Sequence, residues 1–396
     1  MSGSGDMSEA PAIEDGQATE SLHPSLILKN YLLENVPVYP RLVELKEMGH
    51  NNPAADAHFE LQRQRADNAD SRTQDILFKM MIGLGDELHA TTGAFQLGDS
   101  DDRNQALKVL DLCMAPGGFA VSILKHRPLA QVSGISLPKA NGGHKMYVRH
   151  GNRDSRVTVQ YLDITMLAAD LFPTTHGDEL PPILTTHPRA QDFILDTRPY
   201  FATQNKYDIA FCDGQVLRTH TPKLPHPNFE AIRLTCSQLV IALTRLKSGG
   251  TLIMLLHRPE SWDIARLIQT VDSFSDGPVR LFKPAKKHAS RSSFYLVAKG
   301  VQPDSPKAKE AVDMWRRTWL TATLRSGTEY VEERLEEKQR GWSDWENPGN
   351  ADEFIKEFGE RLVDLATPVW EIQAEALAKA PYLKATDKGE SGGTRS

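Results

Sequence analysis

The sequence predicts an α/β protein: a doubly wound, mainly parallel sheet that ends in an antiparallel hairpin, with helical extensions at both ends. Three observations lead there. Between residues 106 and 300, short β-branched runs alternate with amphipathic stretches, as strands joined by crossover helices do. The last two runs, VRLFK and SFYLVAK, are separated only by PAKKHASRS, which is too short for a crossover helix, so they pair antiparallel. On both sides of this region apolar residues recur at helical spacing.

Taken in order, residues 1–24 are rich in Ser, Gly and Glu with almost no large apolar side chains, and are expected to be disordered. Residues 25–100 form a helical region. LILKNYLLENV gives one helix, and FELQRQRADNADSRTQDILFKMMIGLGDELH gives a pair or one broken helix. The central region, 101–301, runs through the strands LKVLDLC, VSGISL, VTVQYLDI, YDIAFCD and GTLIMLL before the hairpin. Its clearest helices are GFAVSILKH and FEAIRLTCSQLVIALTRLK, and a stretch rich in Pro, Thr and His at 173–200 reads as a surface insertion. Residues 302–385 read as a helical extension, and 386–396 as a disordered Gly/Ser tail. Trp315, Trp319, Trp342, Trp345 and Trp370 fall at helical spacings in this extension, which suits a core, or an interface with a protein partner, better than a platform for bases.

Composition narrows the function classes. With 40% hydrophobic and 25% charged residues, the chain can bury a core. It has no apolar run of membrane-spanning length. Cys113, Cys212 and Cys236 lie far apart and match neither a disulfide framework nor a metal-ligand spacing, so no metal is expected. That usage suits a reducing compartment, cytoplasmic or nuclear, and the acidic N-terminus resembles no secretory or mitochondrial leader. The net charge of −6 is unevenly spread: 1–24 holds five acids and no base, 303–396 holds 19 acids and 14 bases, and 25–302 holds 32 bases and 28 acids. A mildly basic centre inside an acidic whole allows a local anion site but not indiscriminate nucleic-acid binding.

The strongest chemical signal is DLCMAPGGFA, Asp111 to Ala120, at the first strand-to-helix junction. Small residues and paired glycines there let a ligand approach the backbone at a helix N-terminus. The segment is not G-x-G-x-x-G, so the dinucleotide fingerprint is absent. A zwitterionic amino-acid moiety fits better, its carboxylate on helix N–H groups and its ammonium on Asp111; the competing reading is a tight turn with helix–strand packing and no ligand.

DLCMAPGGF resembles motif I of the FtsJ-type RNA ribose 2′-O-methyltransferases. The resemblance continues through YDIAFCDG (207–214) and LKSGGTLIMLL (246–256) to RSSFYLVAKG (291–300), with the motifs in the family's order. It implies a Rossmann-like S-adenosylmethionine-dependent methyltransferase sheet, with S-adenosyl-L-methionine as cofactor and RNA as partner. The implied cofactor residues are Asp111, Cys113, Ala115, Pro116, Gly117, Gly118 and Phe119. Ser136 stands where an acid usually holds the cofactor ribose, and Asp163 where an acid often meets the adenine amino group. Asp163 as a plain helix N-cap is the competing reading.

The family's catalytic Lys–Asp–Lys–Glu set is only half present. Lys79 in ILFKMM and Asp213 in FCDG match, but Leu255 and Ser293 occupy the second lysine and glutamate positions. His257 lies two residues beyond Leu255, on the same strand face. It is a candidate base, or simply a solvated or capping strand-end histidine. The loop between the last strands supplies Arg280, Lys283, Lys286, Lys287 and Arg291 with no acid, suited to RNA phosphates, the competing reading being a solvated hairpin. Two rival readings accompany RNA ribose methylation: a catalytically silent cofactor- or RNA-binding scaffold, and a small-molecule O- or N-methyltransferase.

Overall fold

The computed structural model describes residues 23–67, 71–98, 104–172, 182–185, 187–196, 206–216, 227–326 and 350–384. The disorder expected for 1–24 falls outside them except at His23 and Pro24, and the tail 386–396, Trp342, Trp345 and much of 173–200 also lie outside. The chain starts with helices α1 (Pro24–Asn35), α2 (Tyr39–His50), α3 (Pro53–Asp67) and α4 (Ser71–Thr92). The sequence reading had not singled out α2. Strand β1 (Lys108–Leu112) leads into α5 (Gly118–His126), followed by β2 (Gln131–Ser136) and β3 (Val157–Tyr161). The short helices α6 (Ala168–Leu171) and α7 (Pro182–Thr185) precede β4 (Tyr207–Cys212), α8 (Pro227–Arg245), β5 (Leu246–His257) and α9 (Trp262–Asp272). The hairpin β6 (Val279–Phe282) and β7 (Ser293–Val301) closes the sheet, and α10 (Pro306–Ser326), α11 (Ala351–Phe354), α12 (Glu360–Ala378) and α13 (Pro381–Lys384) complete the described chain.

Among the described residues seven strands form one sheet in the order β3-β2-β1-β4-β5-β7-β6. The first five are mutually parallel, and β7 runs antiparallel between β5 and β6. Alternation along each strand divides the core between two faces. Leu110, Leu112, Ala210, Cys212, Leu252 and Met254 face α8, α9, α10 and α12. Val109, Ile209, Phe211, Ile253 and Val297 face α4 and α5.

The terminal helices are not appendages. Leu28 and Leu32 of α1 share a core with Trp315 and Trp319 of α10 and Trp370 of α12. Trp370 lies against Tyr39 of α2, with ring centroids 5.4 Å apart. Glu260 bridges the two ends of the chain, accepting from Trp370 Nε1 at 3.1 Å and pairing with Lys46 at 2.7 Å. The expected core role of these three tryptophans therefore holds.

Candidate active site

The DLCMAPGGFA segment turns sharply at the carboxyl end of β1. Cys113 adopts φ 65°, a left-handed conformation uncommon outside glycine. Met114 N donates to Ile135 O at 2.8 Å, and the Ala115–Pro116 peptide is cis. Tyr147 N then caps Pro116 O at 3.0 Å.

The side chains of this turn do not all reach the space above it. Cys113, Ala115 and Pro116 line a large cavity of about 1360 Å³ over the carboxyl ends of the parallel strands, where open α/β sheets bind ligands. The glycines have a different reason from close ligand approach. Gly117, at φ 93°, would place a Cβ 2.5 Å from Val148 Cγ1, and a Cβ on Gly118 would come 2.5 Å from Met81 Cβ. They let the turn and α5 press against protein, and neither lines the cavity. Phe119 is buried too, stacked on Phe211 at 4.4 Å, and Asp111 lies 2% exposed behind the wall.

Ser136 and Asp163 both line the cavity. Asp163 does what the competing reading required: its Oδ1 accepts from Thr165 N at 3.1 Å and Thr165 Oγ1 at 2.7 Å. Its second oxygen meets Arg189 at 3.2 Å. Arg189 comes from the insertion and also pairs with Asp192 at 2.8 Å, while Arg233 of α8 pairs with Glu230 at 2.7 Å, so the two cations at this end, which the sequence reading missed, are matched by acids.

Across the cavity, Asp213 follows β4. Tyr295 Oη donates to its Oδ1 at 3.1 Å. Burial lifts the Asp213 carboxyl to about 7, with the tyrosine hydrogen bond opposing. Burial and the neighbouring Asp213 push Asp111 well above the carboxylate range. The Asp213–Gly214 turn is clamped by Gln238 of α8, whose Oε1 accepts from Gly214 N at 2.7 Å while its Nε2 donates to Gly214 O at 3.2 Å. Tyr295 was findable, since it stands two residues from Ser293 on the same face of β7. Nothing in the sequence signals Gln238.

The model of the FtsJ-like methyltransferase family matches residues 89–301, just over half of the 396-residue chain. The chain belongs to the FtsJ-like methyltransferase family. Its cofactor is S-adenosylmethionine. Solved structures similar to this FtsJ-like protein include a Plasmodium falciparum protein assigned as a ribosomal RNA methyltransferase, 15% identical over 55% of this chain and 93% of that one, with TM-score 0.33. Another is an O-methyltransferase family protein from Burkholderia thailandensis, 13% identical over 70% and 72% of the two chains, with TM-score 0.32. Human methyltransferase-like protein 13 in complex with SAH is 12% identical over 69% and 100%, with TM-score 0.29. No curated protein matches the sequence.

The residues present fit the cofactor. Two carboxyls with raised pKa values, Asp111 and Asp213, stand at the ends of adjacent strands, and a cationic ligand relieves the cost of ionising them. S-adenosylmethionine carries an ammonium and a sulfonium. The cavity also exceeds the roughly 300–1,000 Å³ usual for one ligand, leaving room for an acceptor.

The family's catalytic set is incomplete here in space as well as in sequence. Leu255, His257, Ser293 and Asp213 all line the cavity, and antiparallel pairing sets Leu255 opposite Tyr295 and His257 opposite Ser293. Lys79 does not join them. Its side chain is 70% exposed and paired with Asp75 at 2.7 Å, because Leu77, Met80, Met81 and Leu84 form the cavity-facing side of α4. This FtsJ-like chain thus brings one of the four family positions to the site with the family's residue.

The basic loop also divides. Lys286 and Lys287 are exposed, and Arg291 lines the cavity. Lys283 is a correction to the sequence expectation: it is 3% exposed, and its Nζ donates to Arg291 O at 2.6 Å, Ser293 O at 2.9 Å and His288 O at 3.4 Å. It staples the loop from inside, where a phosphate would find no room. Arg280 is turned away as well, donating to Thr91 O at 3.3 Å.

Proposed function

We propose that this FtsJ-like protein transfers a methyl group from S-adenosylmethionine to a ribose 2′-hydroxyl of RNA. One observation carries the reading: the cavity that begins at Cys113–Pro116 runs past Asp213 and ends against the basic loop at His288 and Arg291. Cofactor turn, catalytic carboxyl and anion-facing surface are continuous. S-adenosylmethionine supplies an electrophilic methyl group. Ser136, Asp163, Cys113, Ala115 and Pro116, which line the cavity, would hold it, and Asp111 would stay neutral behind the wall unless the cation draws off its proton.

Asp213 orients the acceptor hydroxyl and takes its proton as the methyl arrives. Its ordinary carboxylate pKa is a poor match to neutral pH, and the lift to about 7 improves it. His257 is the alternative acceptor of that proton; burial, Arg258, Lys283 and Arg291 lower its pKa, which leaves the imidazole unprotonated near pH 7 but a weaker base than Asp213. Lys286 and Lys287 contact the flanking backbone. The enzyme so proposed is intracellular, cytoplasmic or nuclear, a reading supported by its three free cysteines.

A specific observation favours a second reading, a silent scaffold. Lys79 points away, and Leu255 and Ser293 cannot replace the lost lysine and glutamate. Labelled methyl transfer from S-adenosylmethionine to total RNA, followed by alkaline hydrolysis, separates the two. Label in alkali-resistant dinucleotides supports 2′-O-methylation. Cofactor binding by calorimetry without label supports the scaffold, and label in metabolite pools alone supports a small-molecule acceptor.

A further inference from the structure

A 2′-hydroxyl within an RNA chain has a phosphodiester on the adjacent ribose carbon, so a site that seats the hydroxyl must also accommodate that 3′-phosphate. The acceptor end of the cavity is built for such a group. His257, His288 and Arg291 line it together. His257 projects from the end of β5 opposite Ser293, and a turn in which Arg291 N donates to His288 O at 3.0 Å brings the other two to the same place. We infer that His257, His288 and Arg291 form a phosphate subsite, held rigid by Lys283, that receives the 3′-phosphodiester of the acceptor nucleotide. The inference rests on the RNA ribose reading and names how that substrate is gripped.

Three features support it. The first is preorganisation: three carbonyl oxygens of the loop converge on the buried Lys283 ammonium, so the loop's shape does not depend on the ligand. The second is backbone conformation. His288 at φ 59° and Arg258 at φ 53° are, with Cys113, the non-glycine residues of positive φ among those described. Two of the three line the cavity, and Arg258 follows a lining residue. Sparsely populated conformations of this kind persist where surrounding structure holds a side chain in a required direction.

The third is electrostatic. Burial, Arg291, Lys283, Lys287 and His257 hold the His288 imidazole down to about 4, the mark of a desolvated place already crowded with positive charge. Asp213 on the same cavity wall, Glu260 near Lys283, and Glu87, whose Oε1 accepts from Ala285 N at 2.9 Å, are acids close by. An anion there meets the Arg291 guanidinium, whose planar fork suits two phosphate oxygens, and two neutral imidazoles that can each donate one N–H.

The test uses the full chain saturated with S-adenosylhomocysteine. Equimolar mixtures of the four ribonucleosides, their 3′-monophosphates and their 5′-monophosphates are titrated by calorimetry. The expected result is at least tenfold tighter binding of the 3′-monophosphates than of the other two mixtures. Arg291→Ala and His288→Asn, the latter chosen because Asn tolerates a left-handed backbone, should each reduce that preference at least fivefold while leaving S-adenosylhomocysteine affinity unchanged. Equal binding of the three mixtures, or a preference that survives both variants, overturns the subsite. Parallel labelling of RNA keeps the two ideas apart. Labelled RNA without a 3′-phosphate preference sinks the subsite alone. A preference that both variants abolish, in a protein that labels no RNA, upholds the subsite and sinks the transferase reading.

Discussion

Asp213 is a carboxyl placed where ionisation is costly. Its pKa in the folded chain is about 7 against an ordinary 3.8, so between those values the folded state holds a proton that the unfolded state has released. Stability therefore falls as pH rises from about 4 to about 7. Asp213→Asn removes this penalty. Thermal unfolding should show the variant gaining on wild type across that range and keeping a constant advantage above it, while methyl transfer falls by about 10²-fold or more. A cationic cofactor has the opposite linkage, since it favours the carboxylate. Affinity for S-adenosylmethionine should rise with pH through about 7, by at most about tenfold per unit, and Asp213→Asn should flatten the profile. Calorimetry at pH 6 and pH 8 on both proteins checks it.

At the scale of elements, the turn into α5 and the β6–β7 loop are each held by one unobvious contact. Gly118 sits where α5 meets α4, with Met81 Cβ, Phe78 O and Ile82 N within 3.1 Å of where a Cβ would be. Gly118→Ala should cost about 1–3 kcal/mol by overpacking, read as a lower urea midpoint at unchanged slope, and its effect on cofactor binding should follow from that packing. In the loop, the lysines do different work. Lys286→Ala with Lys287→Ala should reduce the salt slope of RNA binding by up to about two and leave the melting temperature alone. Lys283→Met should do the reverse, because three carbonyls lose a buried charged donor at about 1.5–3 kcal/mol for each well-made bond. Identical behaviour of the two sets would contradict the division between phosphate contacts and a structural staple.

For the whole molecule, the C-terminal helices brace both ends of the cavity. Trp319 Nε1 of α10 donates to Thr165 O at 3.1 Å, beside Asp163. Gln373 of α12 reaches Ser290 O in the basic loop at 3.5 Å. Removing residues 302–396 would uncover the faces that Trp315, Trp319 and Trp370 cover at 0% exposure. The truncated chain is expected to aggregate although it retains all of 89–301, the span matched by the family. A monodisperse, cofactor-binding truncation in size-exclusion chromatography would contradict this. The full chain should be needed for any methyl transfer, because the site's walls are held from outside the sheet.

Strand alternation, the antiparallel hairpin, the motif at Asp111–Ala120 and the place of Asp213 were legible in the residues, because each depends on spacing within a few positions. Lys79 was expected in the catalytic set and instead points outward, although the phase of Leu77, Met80, Met81 and Leu84 on α4 already carried that direction. Other features depend on groups distant in the chain. Gly117 and Gly118 are filled against Val148 and Met81, Gln238 clamps Gly214 from another helix, and Asp163 is shared with Arg189 of the insertion. Lys283 looks in sequence like its neighbours Lys286 and Lys287, yet it is buried because three carbonyl oxygens later in the chain turn back onto it. Local periodicity sets which element a residue joins, but whether its side chain meets solvent, ligand or protein is decided only when remote segments pack against it.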